Sequence, residues 1–150
     1  MIILEKKFEK KNEYHKLNSD NVSIRQISKN TLLAFSSWKI LKNEINAKKI
    51  EVALLINSDE NFDLIKEDLN NLSMIQINFI NFKDGRPYTI AKELRRSLQF
   101  KGEIRASGDI LPDQYVFLLR RGFDTVEIEK SQKDTWIELL ELDDGNYYQP

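Results

Sequence analysis

The sequence predicts an α/β protein of five successive βα units, with a mainly parallel sheet curved like part of a βα barrel and preceded by a short N-terminal β arm. Three observations predict it. From residue 31 onward, short strand-like runs alternate five times with longer segments of helical period. Short connections between such units favour parallel strands joined by right-handed crossovers. Within the runs, apolar and polar residues alternate: Ile75, Ile77 and Phe79 oppose Gln76 and Asn78, while Ile104 and Ala106 oppose Arg105 and Ser107. Val126 and Ile128 likewise oppose Thr125, Glu127 and Glu129. A sheet wrapped on both faces reads as continuous apolar runs, so alternation points to helices on one face and a semi-polar inner face. The second run is ambiguous, with Val52, Leu54 and Ile56 opposing Glu51, Ala53, Leu55 and Asn57. A flavodoxin-like doubly wound sheet is therefore the alternative architecture.

The elements follow in order. Residues 1–30 form a polar arm, with strand candidates at 2–8 and 14–17 and a turn at Asn18-Ser19-Asp20-Asn21. The five units are strand 31–35 with helix 37–48, 51–56 with 61–72, 74–80 with 87–99, 103–107 with 112–121, and 125–129 with 133–142. Ser36 is a candidate N-cap, and Pro87 and Pro112 suit the first helical position, where a missing N–H costs nothing. Gly102 and Gly122 follow the third and fourth helices as C-cap candidates. In the third helix Ile90, Ala91, Leu94 and Leu98 make an apolar stripe that leaves Lys92, Glu93, Arg95 and Arg96 outside it. Tyr115, Val116, Phe117, Leu118 and Leu119 are apolar nearly all round, which implies core burial, and Arg120-Arg121 suits the helix C-terminus.

With 150 residues the chain is about one domain long, the arm and the five units together. Hydrophobic residues at 41% and charged residues at 31% describe a folded globular chain. Lys+Arg 23 against Asp+Glu 24 leaves a net charge of -1, which gives no bulk footprint for nucleic acid. Without cysteine the chain has no disulfide, thiolate metal site or thiol redox chemistry. No stretch approaches the roughly 18 consecutive apolar residues of a membrane span, and the short run at Ile2-Ile3-Leu4 is no signal sequence, so a cytoplasmic location is expected. His15, the single histidine, stands in the arm without an evident partner.

Loops leaving the C-terminal ends of parallel strands form the functional rim of βα proteins. Two such loops are unusual: Asn81-Phe82-Lys83-Asp84-Gly85-Arg86 and Gly108-Asp109-Ile110-Leu111. All five glycines lie at or beyond position 85, and glycine serves where backbone takes positive φ or approaches another group closely. The candidate ligand- or partner-binding residues are Asp84, Gly85, Arg86, Arg105, Ser107, Gly108, Asp109 and Gln114. In one reading, Gly85 and the start of the Pro87 helix bind an anion through backbone N–H groups, aided by Arg86 and Arg105. Sulfite, phosphate or a carboxylate would suit. In the other, Asp84-Gly85 is an ordinary turn and Arg86 pairs with Asp84 or Asp109. Asp109 and Glu127 are the candidate acid or base. Asp84, Asp109 and Asp113 could hold Mg²⁺, but Asp113 is better explained by the first turn of its helix, and no metal or cofactor is expected.

The run Phe82-Lys83-Asp84-Gly85-Arg86-Pro87-Tyr88-Thr89-Ile90-Ala91 with Leu94-Arg95 resembles a bacterial family, the domain of unknown function 934. So do Gly102-Glu103-Ile104-Arg105-Ala106-Ser107-Gly108-Asp109-Ile110-Leu111 with Asp113-Gln114, and Arg121-Gly122-Phe123-Asp124. The resemblance extends from about Thr31 to the terminal Tyr148-Gln149-Pro150. The family is labelled as an oxidoreductase of sulfite reduction, and relatives often carry cysteine where this chain has Arg121. The resemblance implies an accessory protein of assimilatory sulfite reduction and cysteine biosynthesis, with sulfite reductase or its electron donor as partner. The alternative is a βα-barrel-type enzyme acting on a small anion bound by Arg86 and Arg105. Pairing of two open sheets in a homodimer is a further option. No redox or cofactor motif decides whether the chain is an enzyme.

Overall fold

The computed structural model describes residues 1–17 and 21–147. The turn expected at Asn18-Ser19-Asp20 and the matching terminus Tyr148-Gln149-Pro150 lie outside the described residues.

Eight strands form one sheet: β1 (Ile2–Glu5), β2 (Phe8–Lys10), β3 (His15–Lys16), β4 (Thr31–Ala34), β5 (Val52–Asn57), β6 (Leu72–Phe79), β7 (Glu103–Gly108) and β8 (Thr125–Ile128). The helices are α1 (Phe35–Ala47), α2 (Arg86–Arg96), α3 (Tyr115–Arg120) and α4 (Lys133–Tyr147). Strand order is β2-β1-β8-β7-β6-β5-β4-β3. Strands β4 to β8 are therefore neighbours in chain order, and every pairing among them is parallel. Right-handed crossovers between successive neighbours put each connecting helix on the same face. A doubly wound sheet needs a reversal of strand order, and this one has none among β4 to β8.

The arm is part of the sheet, not an irregular appendage. β1 pairs antiparallel with β8, β2 forms a hairpin with β1, and β3 runs parallel to β4. Lys6 turns the hairpin with φ 53, and the buried Tyr115 hydroxyl donates to the Lys6 carbonyl at 2.6 Å. Burial pushes the Tyr115 phenol well above its ordinary pKa. The two outermost strands, β2 and β3, are consecutive in the chain, with Lys11 to Tyr14 between them. Laid flat, seven inter-strand gaps of about 4.8 Å would separate them by roughly 34 Å. Five Cα steps from Lys10 to His15 reach at most about 18 Å. The connection is too short for a flat sheet, and the strands curl into a half-barrel whose open side this segment crosses.

The convex face carries the helices and the main core, including Leu54, Ile75, Ile77, Ile104, Val126 and Trp136. The concave face has its own small apolar cluster of Leu32, Ala53 and Met74, with Tyr14 and Leu55 against it. The ambiguity of the second strand is thus resolved: Ala53 and Leu55 face the concave side, where the arm covers them.

Some expected element ends move. Helix α1 begins at Phe35 with Ala34 as N-cap and no capping side chain, not after Ser36. Burial of Phe35, Trp38 and Ile45 sets its start, outweighing the hydroxyl cap. The helix expected at 61–72 is a 3₁₀ segment, Phe62–Asn71, capped by the Asn61 side chain, which accepts the Asp63 N–H at 3.1 Å. Pro87 occupies the second position of α2, after the N-cap Gly85 and Arg86. The fourth helix splits into a 3₁₀ turn, Pro112–Gln114, and α3, whose Phe117 is exposed instead of buried. No helix among the described residues is long and apolar enough to cross a membrane.

Candidate functional site

The loops after β6 and β7 meet at the C-terminal rim. Gly108 ends β7 with φ 89, and a Cβ there would collide with Asn78 Oδ1 and the Phe79 carbonyl oxygen. That close approach lets the Asp109 N–H donate to the Phe79 carbonyl at 2.9 Å. The same turn aims the Asp109 carboxylate at the neighbouring loop, where Oδ2 accepts the Phe82 N–H at 3.0 Å. Gln114 completes the clamp: its Nε2 donates to the Phe82 carbonyl at 2.8 Å, and its Oε1 accepts the Leu111 N–H at 2.8 Å. Both backbone polar groups of Phe82 are held by side chains of the next loop. Phe82 nevertheless keeps 36% of its surface exposed, and Ile80 52%.

Asp84, Gly85 and Arg86 stand together at the start of α2. The Asp84 carboxylate accepts from Arg86 Nε at 2.9 Å, Nη2 at 2.8 Å and the Arg86 backbone N–H at 3.0 Å. Those Arg86 bonds hold the Asp84 carboxyl far below the usual range, and Asp84 in turn raises Arg86. The chain thus supplies its own anion to the backbone and guanidinium donors that an external anion was expected to use. Gly85 has φ -84 and open space around its Cα, so neither backbone nor packing demands glycine there, contrary to the expectation of a specialised loop. Beside it lies an open cleft of ≈ 590 Å³, whose walls include Ser58, Asn61, Asp63, Arg86 and Thr89.

Ser107 is separate, on the concave face. Its hydroxyl donates to Asn78 Oδ1 at 3.4 Å, and Asn78 Nδ2 donates to Asn57 Oδ1 at 3.0 Å. The three side chains form one row because Asn57, Asn78 and Ser107 are in register on adjacent strands.

Arg105 lies two residues deeper and is 1% exposed. Its Nε and Nη2 donate to Glu103 Oε2 at 3.1 and 2.9 Å, and its Nη1 donates to Asn12 Oδ1 at 3.1 Å. The Tyr14 ring covers the guanidinium at 5.7 Å, and Lys10 Nζ reaches Glu103 at 2.8 Å. Burial alone would raise the Glu103 carboxyl, but Lys10, Arg105 and Thr125 together hold it below its ordinary value. Arg105 therefore fastens the arm across the half-barrel, away from the rim. Glu127 stands on β8 opposite Ile3 of β1 and does not join the Asp84 or Asp109 groups.

The structure divides the expected residues into a rim clamp (Gly108, Asp109, Gln114), an internally neutralised pair (Asp84, Arg86) and a concave row (Ser107). Sequence reasoning missed Asn12, Tyr14, Glu103 and the clamped Phe82. Alternation does place Glu103, Arg105 and Ser107 on one face, and that was the available signal for the first cluster. Among the described residues no group of three or more His, Cys, Asp or Glu side chains could hold a metal ion.

A family model described as bacterial protein of unknown function (DUF934) matches residues 53–150, which include the rim loops, α2 and both strands that carry Arg105 and Glu127. No curated protein and no solved structure matches the chain.

Proposed function

We propose that this chain, which belongs to the DUF934 family of bacterial proteins, is a cytoplasmic accessory protein of assimilatory sulfite reduction that docks a protein component of that machinery. Sulfite reductase or its electron donor is the component meant, and the rim at Ile80, Phe82 and Arg86 is the docking edge. One observation carries the docking reading: Phe82 presents an exposed ring from a backbone fixed on both sides by Asp109 and Gln114. Aromatic anchors dominate protein interfaces, and fixing their backbone beforehand removes the ordering cost of association. The pathway rests on the family resemblance. Asp109 and Gln114 are positioning residues in this reading, and Asp84 keeps Arg86 from acting as a free anion receptor.

The test is capture of the tagged protein from its host during sulfate-limited growth, with Phe82→Ala as parallel bait. Recovery of sulfite reductase or its electron donor by the wild type alone supports the proposal. Failure to recover either with a folded bait contradicts it.

A second reading, an enzyme for a small anion, is favoured by the open cleft beside Arg86 and Thr89. It requires the anion to displace Asp84. Titration with sulfite and with phosphate tests it, and the absence of heat or spectral change in both removes it.

A further inference from the structure

A groove runs along the outer side of α2, continuous with the rim cleft at Gly85 and Thr89. Its floor is aromatic: the Tyr88 and Phe117 rings lie 4.8 Å apart, and the Arg121 guanidinium covers Phe117 at 4.7 Å. Further along, the walls are Lys92, Arg95 and Arg96 from α2 and Arg120 and Arg121 from the end of α3. The whole chain is balanced, with a net charge of -1, yet every charged side chain in these walls is cationic. Two of the cations have partners: Arg95 pairs with Asp124, and Arg120 with Asp143 at 3.4 Å. Among the described residues no ion pair holds Lys92, Arg96 or Arg121.

We propose that this groove binds an acidic segment of the docking partner, with carboxylates on Lys92, Arg96 and Arg121 and an apolar side chain against Tyr88 and Phe117. The inference rests on the docking reading, because the groove opens from the docking edge. Three physical points favour a carboxylate-bearing peptide. Planar guanidinium groups match carboxylates with two parallel hydrogen bonds. An exposed aromatic floor rewards an apolar side chain, which a bare inorganic anion lacks. The groove along the eleven residues of α2 spans roughly 16 Å, the length of about five extended residues, which matches a short peptide segment.

The probe is a fluorescein-labelled pentapeptide, Asp-Glu-Phe-Glu-Asp, titrated with the full chain by fluorescence anisotropy. The amide analogue Asn-Gln-Phe-Gln-Asn is its control. Binding of the acidic peptide only, weakened about tenfold or more by Lys92→Glu with Arg96→Glu and lost at high salt, is expected. Arg121→Ala should weaken it too. Superimposable thermal melts of the variants keep folding out of the comparison, since Lys92 and Arg96 are exposed and unpaired.

No binding, or equal binding by the charge-reversed variant, overturns the inference. Equal affinity for an oligothymidylate shows an unselective anionic preference and overturns it as well. A dimer abolished by the same reversal assigns the groove to a second copy of the chain instead. If the peptide fails while capture of the reductase or its donor still depends on Phe82, the groove inference falls and the docking reading stands. If the peptide binds but neither component is captured, the docking reading falls.

Discussion

The Asp109 carboxylate accepts the Phe82 backbone N–H at 3.0 Å, across 27 residues of sequence, and thereby locks the loop after β7 to the loop after β6. That bond couples the geometry of Gly108 to the presentation of an exposed aromatic ring. Each link in the coupling has a measurable consequence.

Gly108 and Gly85 should respond oppositely to a side chain. Gly108→Val places a β-branched residue at φ 89 and drives its Cβ into Asn78 and the Phe79 backbone. Strain and overpacking together should cost about 2 kcal/mol or more. Gly85→Ala, at φ -84 with open surroundings, should change stability by no more than about 0.5 kcal/mol. Urea unfolding of both variants checks the contrast, and equal destabilisation would contradict the assigned geometry.

The arm should detach when its buckle is cut. Arg105→Ala leaves Glu103 with Lys10 as its remaining cation and takes the guanidinium donor away from Asn12 Oδ1. Lys10 and Thr125 still hold Glu103, so the cost should fall below the roughly 3–5 kcal/mol of an uncompensated buried charge. Limited proteolysis should then cleave within Lys11 to Tyr14 faster than in the wild type, and equal cleavage rates would contradict the fastening.

The same buckle sets an acid and an alkaline limit. Glu103 is depressed below its ordinary value of 4.5 in the folded chain. Its contribution is therefore complete above about that pH and is lost as pH falls through the lower folded value. For Lys10, burial opposes but the Glu103 hydrogen bond and charge prevail, and its pKa rises above 10.5. That contribution is present below 10.5 and disappears as pH rises through the folded value. Thermal melts of Glu103→Gln should show a flatter acid limb than the wild type, and an unchanged limb would assign acid sensitivity elsewhere.

Much of this architecture was legible because burial of one sheet face imposes a period of two. Ile75, Ile77 and Phe79 face the helices, and Gln76 and Asn78 do not, as the alternation requires. The arm was less legible, since β3 is two exposed polar residues, His15 and Lys16, and an edge strand of that length needs no apolar pattern. Arg105 shows the limit of the same rule. Alternation assigns it a face but does not say that Asn12 and Tyr14 lie on top of it. The glycines show another limit: Gly85 and Gly108 are equivalent letters, and only the close approach of β6 makes the second one obligatory. At the rim, Asp109 and Gln114 were visible as polar loop residues, while their shared grip on Phe82 depends on tertiary contact.

Docking through Phe82 is most directly tested by titrating purified sulfite reductase, and separately its electron donor, against the wild type, Phe82→Ala and Asp109→Ala by interferometry. Binding of one component is expected, weakened by about 1.5–3 kcal/mol on loss of the ring. Asp109→Ala, which keeps the ring and frees its backbone, should weaken it less. Equal affinity of all three proteins, or no binding to either component, would contradict docking through Phe82.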